Sequence, residues 1–96
     1  MNAIQLDSLG YQQITNLSGA VGFTVPAGCV TINVQAESQN VRYRDDGTNP
    51  TASVGMQLPA GAIVPISAAN FSSMKFIEEA ASAKLNISCY GTRAAS

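Results

Sequence analysis

The stretch Cys29–Gly47, CVTINVQAESQNVRYRDDG, contains the strongest structural pattern in this chain. Apolar side chains occupy every second position in both halves of it: Val30, Ile32, Val34 and Ala36 in the first half, and Val41 and Tyr43 in the second. Because successive residues of a β-strand point to opposite faces, this period of two predicts two half-buried strands. The polar residues 37–40 between them favour a turn, and therefore an antiparallel pair.

Similar short alternating runs, separated by turn residues, continue on both sides of this stretch. They predict further strands over residues 4–6, 11–14, 21–25, 54–58, 62–66, 73–78 and 85–89. A turn at Ser8–Gly10 would separate the first two of these strands. Pro65 would confine the strand over 62–66 to a sheet edge, because proline donates no ladder hydrogen bond. About eight short strands in 96 residues predict one all-β domain, an antiparallel β-sandwich or a small jelly roll.

Two local features refine this prediction. Pro-Ala-Gly occurs at 26–28 and again at 59–61, and predicts one turn used twice, with proline second and glycine at a positive φ. Residues 70–84 have apolar spacing that also fits a helix, but Met74 and Phe76 alternate in strand phase among β-forming residues. We therefore predict a strand over Ser73–Glu78 followed by a turn, and keep a helix as the alternative.

The composition argues against several classes of function. The net charge is −1 and only 11% of residues are charged, whereas Ser, Thr, Asn and Gln together number 29. Five Lys and Arg residues, none before Arg42, cannot form the basic surface that nucleic-acid binding requires. With no targeting segment and no apolar run of about 20 residues, we expect synthesis in a cytosol and no membrane association.

The residues that usually carry chemistry are sparse. The chain has no histidine, which removes the commonest general base and metal ligand. Cys89 shares the phase of the core residues around it, whereas Cys29 shares the phase of polar Thr31. A cytosolic origin favours two free thiols over a disulfide. The sequence therefore predicts no metal site, no cofactor and no catalytic residues.

Asp45 and Asp46 are the only paired carboxylates in a loop. Adjacent side chains in an extended loop diverge, so we interpret them as turn residues, with Gly47 in a left-handed conformation. Arg42 and Arg44 lie on one strand face beside them, which predicts a local Arg–Asp network.

The N-terminal segment carries the apolar residues Ile4, Leu6, Leu9 and Tyr11 among Gly and Gln. Two interpretations stay open: an arm that anchors the domain on a partner, or an edge strand of its own sheet. For an arm, deletion of residues 2–12 would abolish partner binding and leave the domain folded.

The block Val25–Gly61, VPAGCVTINVQAESQNVRYRDDGTNPTASVGMQLPAG, with the closing strand LNISCYG, resembles small virion proteins of tailed bacteriophages. Its most specific part is VRYRDDGTNPT, and within that group the chain is similar to capsid decoration (cement) proteins. The resemblance implies a compact β fold that binds the outer surface of the phage head, with the major capsid protein as partner and a dimer or trimer as its own state. It also implies a structural role for the hairpin motif Arg42, Tyr43, Arg44, Asp45, Asp46 and Gly47, and no catalytic residues.

Two alternatives remain. Similar small β proteins also occur in necks, tails and head fibres, which would place the chain elsewhere in the virion. A carbohydrate-binding module is the other alternative, since β-sandwiches commonly host such modules, although three Tyr and no Trp are few aromatic residues for one.

Overall fold

The structure, a computed structural model, describes residues 6–68 and 71–92. These residues form seven β-strands and no helix. The strands are β1 (Asp7–Ile14), β2 (Cys29–Glu37), β3 (Val41–Arg44), β4 (Met56–Leu58), β5 (Ile63–Ser67), β6 (Lys75–Glu78) and β7 (Lys84–Gly91). The all-β prediction is confirmed, and β6 shows that the ambiguous segment contains the strand rather than the helix.

The strands form two antiparallel sheets. The four-stranded sheet has the order β1-β7-β2-β5, and the three-stranded sheet has the order β4-β3-β6. Pro65 lies on β5 and is opposite Asn33 of β2. β5 is an edge strand, as predicted. Because proline has no N–H, it interrupts the outward-facing donors of that edge and discourages another strand from adding there.

The prediction that the two halves of Cys29–Gly47 pair with each other is wrong. β2 pairs with β7 on one side and β5 on the other, so it has no free edge for β3. β3 pairs with β4 and β6 in the second sheet, and the intervening turn, with Ser38 at φ 73°, takes the chain from one sheet to the other. Alternation specifies which face of a strand is buried, and it does not specify the partner strand.

Both sheets contribute to a single hydrophobic core. Fully buried side chains from the four-stranded sheet meet those from the three-stranded sheet in one cluster: Ile32, Val34, Leu85 and Ile87 from the first, and Val41, Leu58 and Phe76 from the second. The Phe76 ring lies 6.0 Å from those of Phe23 and Tyr43 between centroids. Phe71 and Phe76 are both buried in this core.

From Asp7 onward the N-terminal segment forms one strand, and residues 4 and 5 of the first predicted strand lie outside the described residues. β1 pairs with β7 along its length, and the expected turn at Ser8–Gly10 is instead a β-bulge, where the register with β7 shifts. A bulge accommodates the extra residue within the ladder, so the strand does not need to reverse direction.

The strand predicted over 21–25 does not form a ladder. Val21 makes a single reciprocal bridge to Phe76, with N···O distances of 2.9 and 2.8 Å. Further along, the Gln12 side-chain amide donates to the Thr24 carbonyl (2.7 Å) and accepts from its N–H (3.0 Å). A side chain therefore satisfies backbone groups that a neighbouring strand would otherwise pair with.

The two Pro-Ala-Gly segments do form the same turn. Cys29 N donates to Pro26 O (3.2 Å), and Ala62 N donates to Pro59 O (3.3 Å). Proline therefore occupies the first position of each turn, and the prediction of the second position is wrong. The glycines two residues later have φ 87° and 90°.

Close backbone approach at the end of β7 leads to a stability prediction. A methyl group on Gly91 would overlap the Gly28 carbonyl oxygen and lie 3.0 Å from Leu9 Cδ1, so Gly91→Ala requires the backbone to move. We expect a loss of about 1–3 kcal/mol and a Tm lower by about 4–8 °C for each kcal/mol. Gly19→Ala is the matched control, since nothing lies within 4 Å of its added methyl. Equal melting temperatures for the two variants would contradict this packing.

Candidate binding surfaces

The outer face of the four-stranded sheet is uncharged over its central part. Opposite residues in neighbouring strands share a face, so the strand register defines two rows across this sheet. The rows are Tyr11, Ser88, Asn33, Pro65 and Gln13, Asn86, Gln35, Ile63. Glu37 and Lys84, which are opposite each other, bound this region at one end.

A groove of about 200 Å³ lies on this face. Its polar lining consists of Tyr11, Asn33, Gln35, Asn86, Ser88 and Tyr90, and we call it the amide groove. Ile63 adds an apolar side chain at the β5 side. Of this lining the sequence singled out only Tyr11, as an apolar arm residue. The amide and serine members belong to the polar half of the alternation that predicts the strands.

Hydrogen bonds fix most of the groove's side chains. Asn86 Oδ1 accepts from Tyr11 OH (2.6 Å) and from Gln13 Nε2 (2.9 Å), and Asn86 Nδ2 donates to Gln35 Oε1 (3.3 Å). The Asn33 side chain makes no hydrogen bond to any residue in 6–68 or 71–92. The groove therefore combines a preorganised network with one free amide.

The outer face of the three-stranded sheet is charged. It carries Arg42, Arg44 and Lys75, which are three of the five basic residues in the sequence. Arg42 Nε lies 2.9 Å from Glu79 Oε2, and Gln57 Nε2 donates to the same oxygen at 2.8 Å. The hydrogen bond from Gln57, together with the charge of Arg42, holds the pKa of Glu79 below its ordinary value. Glu79 is therefore held in a network of hydrogen bonds and an ion pair on this face.

In the hairpin motif Arg42–Gly47, residues 42–44 belong to β3 and residues 45–47 begin the loop that follows it, where the sequence predicted turn residues. Arg44 forms a bidentate ion pair with Asp46, whose Oδ1 also accepts from Thr48 N (3.2 Å). The hydrogen bond from Arg44 is the main reason that the pKa of Asp46 is lowered. Gly47 has φ 87°, the left-handed conformation expected there.

The predicted Arg–Asp network contains only one of the two arginines. Arg42 pairs with Glu79 instead of the aspartates, and its Nη1 donates to Gly55 O (2.9 Å). The reason is its position in mid-strand, opposite Gln57 and Ile77, away from the loop that follows β3. Tyr43 points the other way, toward Phe76, and burial followed by the charge of Asp45 raises the pKa of its hydroxyl.

The four predicted arm residues have different environments. Ile4 lies outside the described residues. Leu9 is partly buried against the core, whereas Leu6 and Tyr11 are 41% and 64% exposed. Deleting residues 2–12 would remove most of β1, which is paired with β7, so a folded domain is not the expected result of that deletion.

One end of the four-stranded sheet presents apolar side chains to solvent. They are Leu6, Val25 and Val30, which are 41%, 37% and 40% exposed, and we call this region the apolar end. The three lie at the same end because Asp7 and Cys29 both pair with Gly91, and the Pro26 turn leads directly into Cys29. Leu6 is the one predicted arm residue within this region.

Both cysteines are free thiols, as predicted, but the predicted orientation of Cys29 is wrong. The register of β2 shifts between Cys29 and Thr31, and this bulge turns Cys29 inward while Val30 faces solvent. Cys89 is fully buried. Burial and a hydrogen bond with Cys29 raise the pKa of the Cys89 thiol to about 12.

The raised pKa of Cys89 predicts a loss of stability at alkaline pH. Below pH 9, the ordinary pKa of a cysteine, the thiol is protonated in both the folded and the unfolded protein. As the pH rises from 9 toward about 12, the thiol ionises only in the unfolded protein, so the free energy of unfolding falls. One such group contributes a slope of up to about 1.4 kcal/mol per pH unit. Urea unfolding under reducing conditions at pH 7, 9 and 10.5 measures it. Cys89→Ala should be less stable at pH 7 but lose less stability on alkalinisation; parallel pH profiles would contradict the assignment.

Within 6–68 and 71–92, no group of three His, Cys, Asp or Glu side chains could hold a metal ion. No helix in these ranges is long and apolar enough to cross a membrane. Comparison with family models, curated proteins and solved structures finds no match for this chain.

Proposed function

We propose that this chain is a non-enzymatic structural protein of a tailed-phage virion. In this proposal it is a capsid decoration protein, a small β-sandwich or jelly roll that binds the outer surface of the head as a dimer or trimer. It stabilises the junctions between subunits of the major capsid protein. The resemblance of Val25–Gly61 to such proteins motivates the proposal, and the observation that supports it best is the apolar end.

The apolar end suits attachment to a protein surface. Three partly exposed aliphatic side chains lie at this end of the sheet, with the acidic Asp7 next to Leu6. Burying apolar surface contributes about 25 cal/mol per Å², so one copy would gain a few kcal/mol. Linked copies in a dimer or trimer would hold the shell more tightly than one contact alone, because the second attachment is intramolecular.

The number of copies in the particle tests the proposal. A decoration protein is present in numbers comparable to the coat subunits, whereas a neck or tail component, the alternative placement, is present in few copies. Quantitative mass spectrometry of purified particles gives the ratio of this chain to the major capsid protein. A ratio close to one copy per coat subunit, or to a small whole-number fraction such as one third, supports decoration. A ratio below about one in fifty supports the neck or tail. Absence of the chain from the particle contradicts both placements.

A further inference from the structure

We propose that the amide groove binds a neutral carbohydrate. The proposal is independent of particle attachment, because the groove lies on the sheet face and the apolar end lies at the sheet margin. It joins three observations about the groove: its lack of charge, its hydrogen-bonding groups and its exposed tyrosine ring.

The charge of the groove favours an uncharged ligand. None of its lining side chains is acidic or basic, and Glu37 and Lys84 lie beyond its rows at one end. A phosphate or carboxylate would find no cation there, and a basic ligand would find no anion. The basic residues Arg42, Arg44 and Lys75 are on the opposite sheet. A ligand for this face therefore binds through neutral hydrogen bonds and apolar contact.

The hydrogen-bonding groups match hydroxyl-rich ligands. A sugar hydroxyl both donates and accepts, and an amide side chain offers two donors and an acceptor in a fixed plane. Asn33 has these groups unused, at the centre of the sheet between Ser88 and Pro65. Tyr90 accepts from Ser88 Oγ (3.2 Å), which leaves its own O–H free to donate. These groups lie on strands and not on loops, so little ordering is required on binding.

Tyr11 provides the apolar surface that a sugar ring needs. Its side chain is 64% exposed, yet its hydroxyl is fixed by the 2.6 Å bond to Asn86 Oδ1. A fixed, solvent-facing aromatic ring offers the C–H face of a pyranose a flat contact at small entropic cost. Ile63, 65% exposed, borders the other side of the groove. The aromatic and aliphatic walls with amides between them form a site for a hydroxylated ring.

Titration followed by NMR tests the proposal with the isolated protein. The probes are neutral oligosaccharides, namely cellohexaose, maltohexaose, a β-1,4-galactan oligomer and an α-mannan oligomer, each up to 10 mM. We expect at least one probe to shift the side-chain amide signals of Asn33, Gln35 and Asn86. The amide of Gln57, on the opposite sheet, is the internal control and should not move.

Matched variants separate groove binding from other binding. Asn33→Ala and Tyr11→Phe are the test variants, and Gln57→Ala is the control. We expect Asn33→Ala to weaken binding about tenfold or more, as the loss of several hydrogen bonds to a ligand would. Tyr11→Phe keeps the ring but releases it from Asn86, and should weaken binding less. The proposal is overturned if no probe shifts the groove amides, if the shifts lie elsewhere, or if the groove amides respond only to coat protein.

Discussion

Replacing Phe76 with alanine is expected to lower the free energy of unfolding by about 3–5 kcal/mol, the largest effect of any single substitution considered for this chain. Phe76 is fully buried in β6, and its ring centroid lies 6.0 Å from those of both Phe23 and Tyr43. The cavity left by the ring would open between the two sheets. The free energy of unfolding of a small domain is about 5–15 kcal/mol, so the variant would lose a large part of its stability.

Urea unfolding followed by circular dichroism measures this effect. Met56→Ala is the control, because Met56 is 63% exposed on β4 and its truncation should cost no more than about 0.5 kcal/mol. Phe76→Leu should fall between the two. A loss below 1 kcal/mol for Phe76→Ala would mean that the sheets do not pack through this ring.

Introducing a charge at the apolar end is expected to abolish the proposed attachment to the phage head. Val30 is 40% exposed beside the bulge of β2, so Val30→Asp is accommodated in the free protein. Against a coat subunit the new carboxylate would be buried without a partner, which costs about 3–5 kcal/mol. Affinity should therefore fall by about two to four orders of magnitude.

Val54→Asp is the matched control, since Val54 is also an exposed valine, at 51%, but lies outside the apolar end. Co-sedimentation of each purified variant with heads that lack the chain measures the effect, and melting curves check that both variants are folded. The two variants binding equally well would show that the apolar end does not contact the shell. Loss of binding by Val54→Asp alone would place the contact near the loop between β3 and β4.

The sequence predicted the buried faces of this fold better than its strand pairing. Ile32, Val34 and Ala36 are buried as their alternation predicts, and so are Leu85 and Ile87. The assumed hairpin between β2 and β3 was wrong, because alternation contains no information on which strand lies alongside. β2 pairs with β5 and with β7, which lies about fifty residues further along the chain. Such long-range pairing is decided by the packing of the whole core.

The bulges account for the local errors. A single extra residue in β2 reverses the phase, so that Cys29 is buried and Val30 is exposed, the opposite of the prediction. The same kind of irregularity in β1 was interpreted as a turn at Gly10. A bulge leaves no clear signal in one sequence, and both errors affect residues of the proposed surfaces.

The candidate surfaces differ in how far the sequence could predict them. The Arg44–Asp46 turn is local and was predicted from adjacent residues. The amide groove brings together Tyr11, Asn33 and Asn86 from three different strands, which only the sheet register defines. Their polar character was visible in the sequence, but their proximity was not.

Electron microscopy of virus particles prepared with and without this chain tests the proposed function most directly. The account predicts extra density at symmetry-related positions over the outer surface of the head, with the end that carries Leu6, Val25 and Val30 against the coat subunits. Heads that look identical in the two preparations, with the chain absent from both, would contradict it.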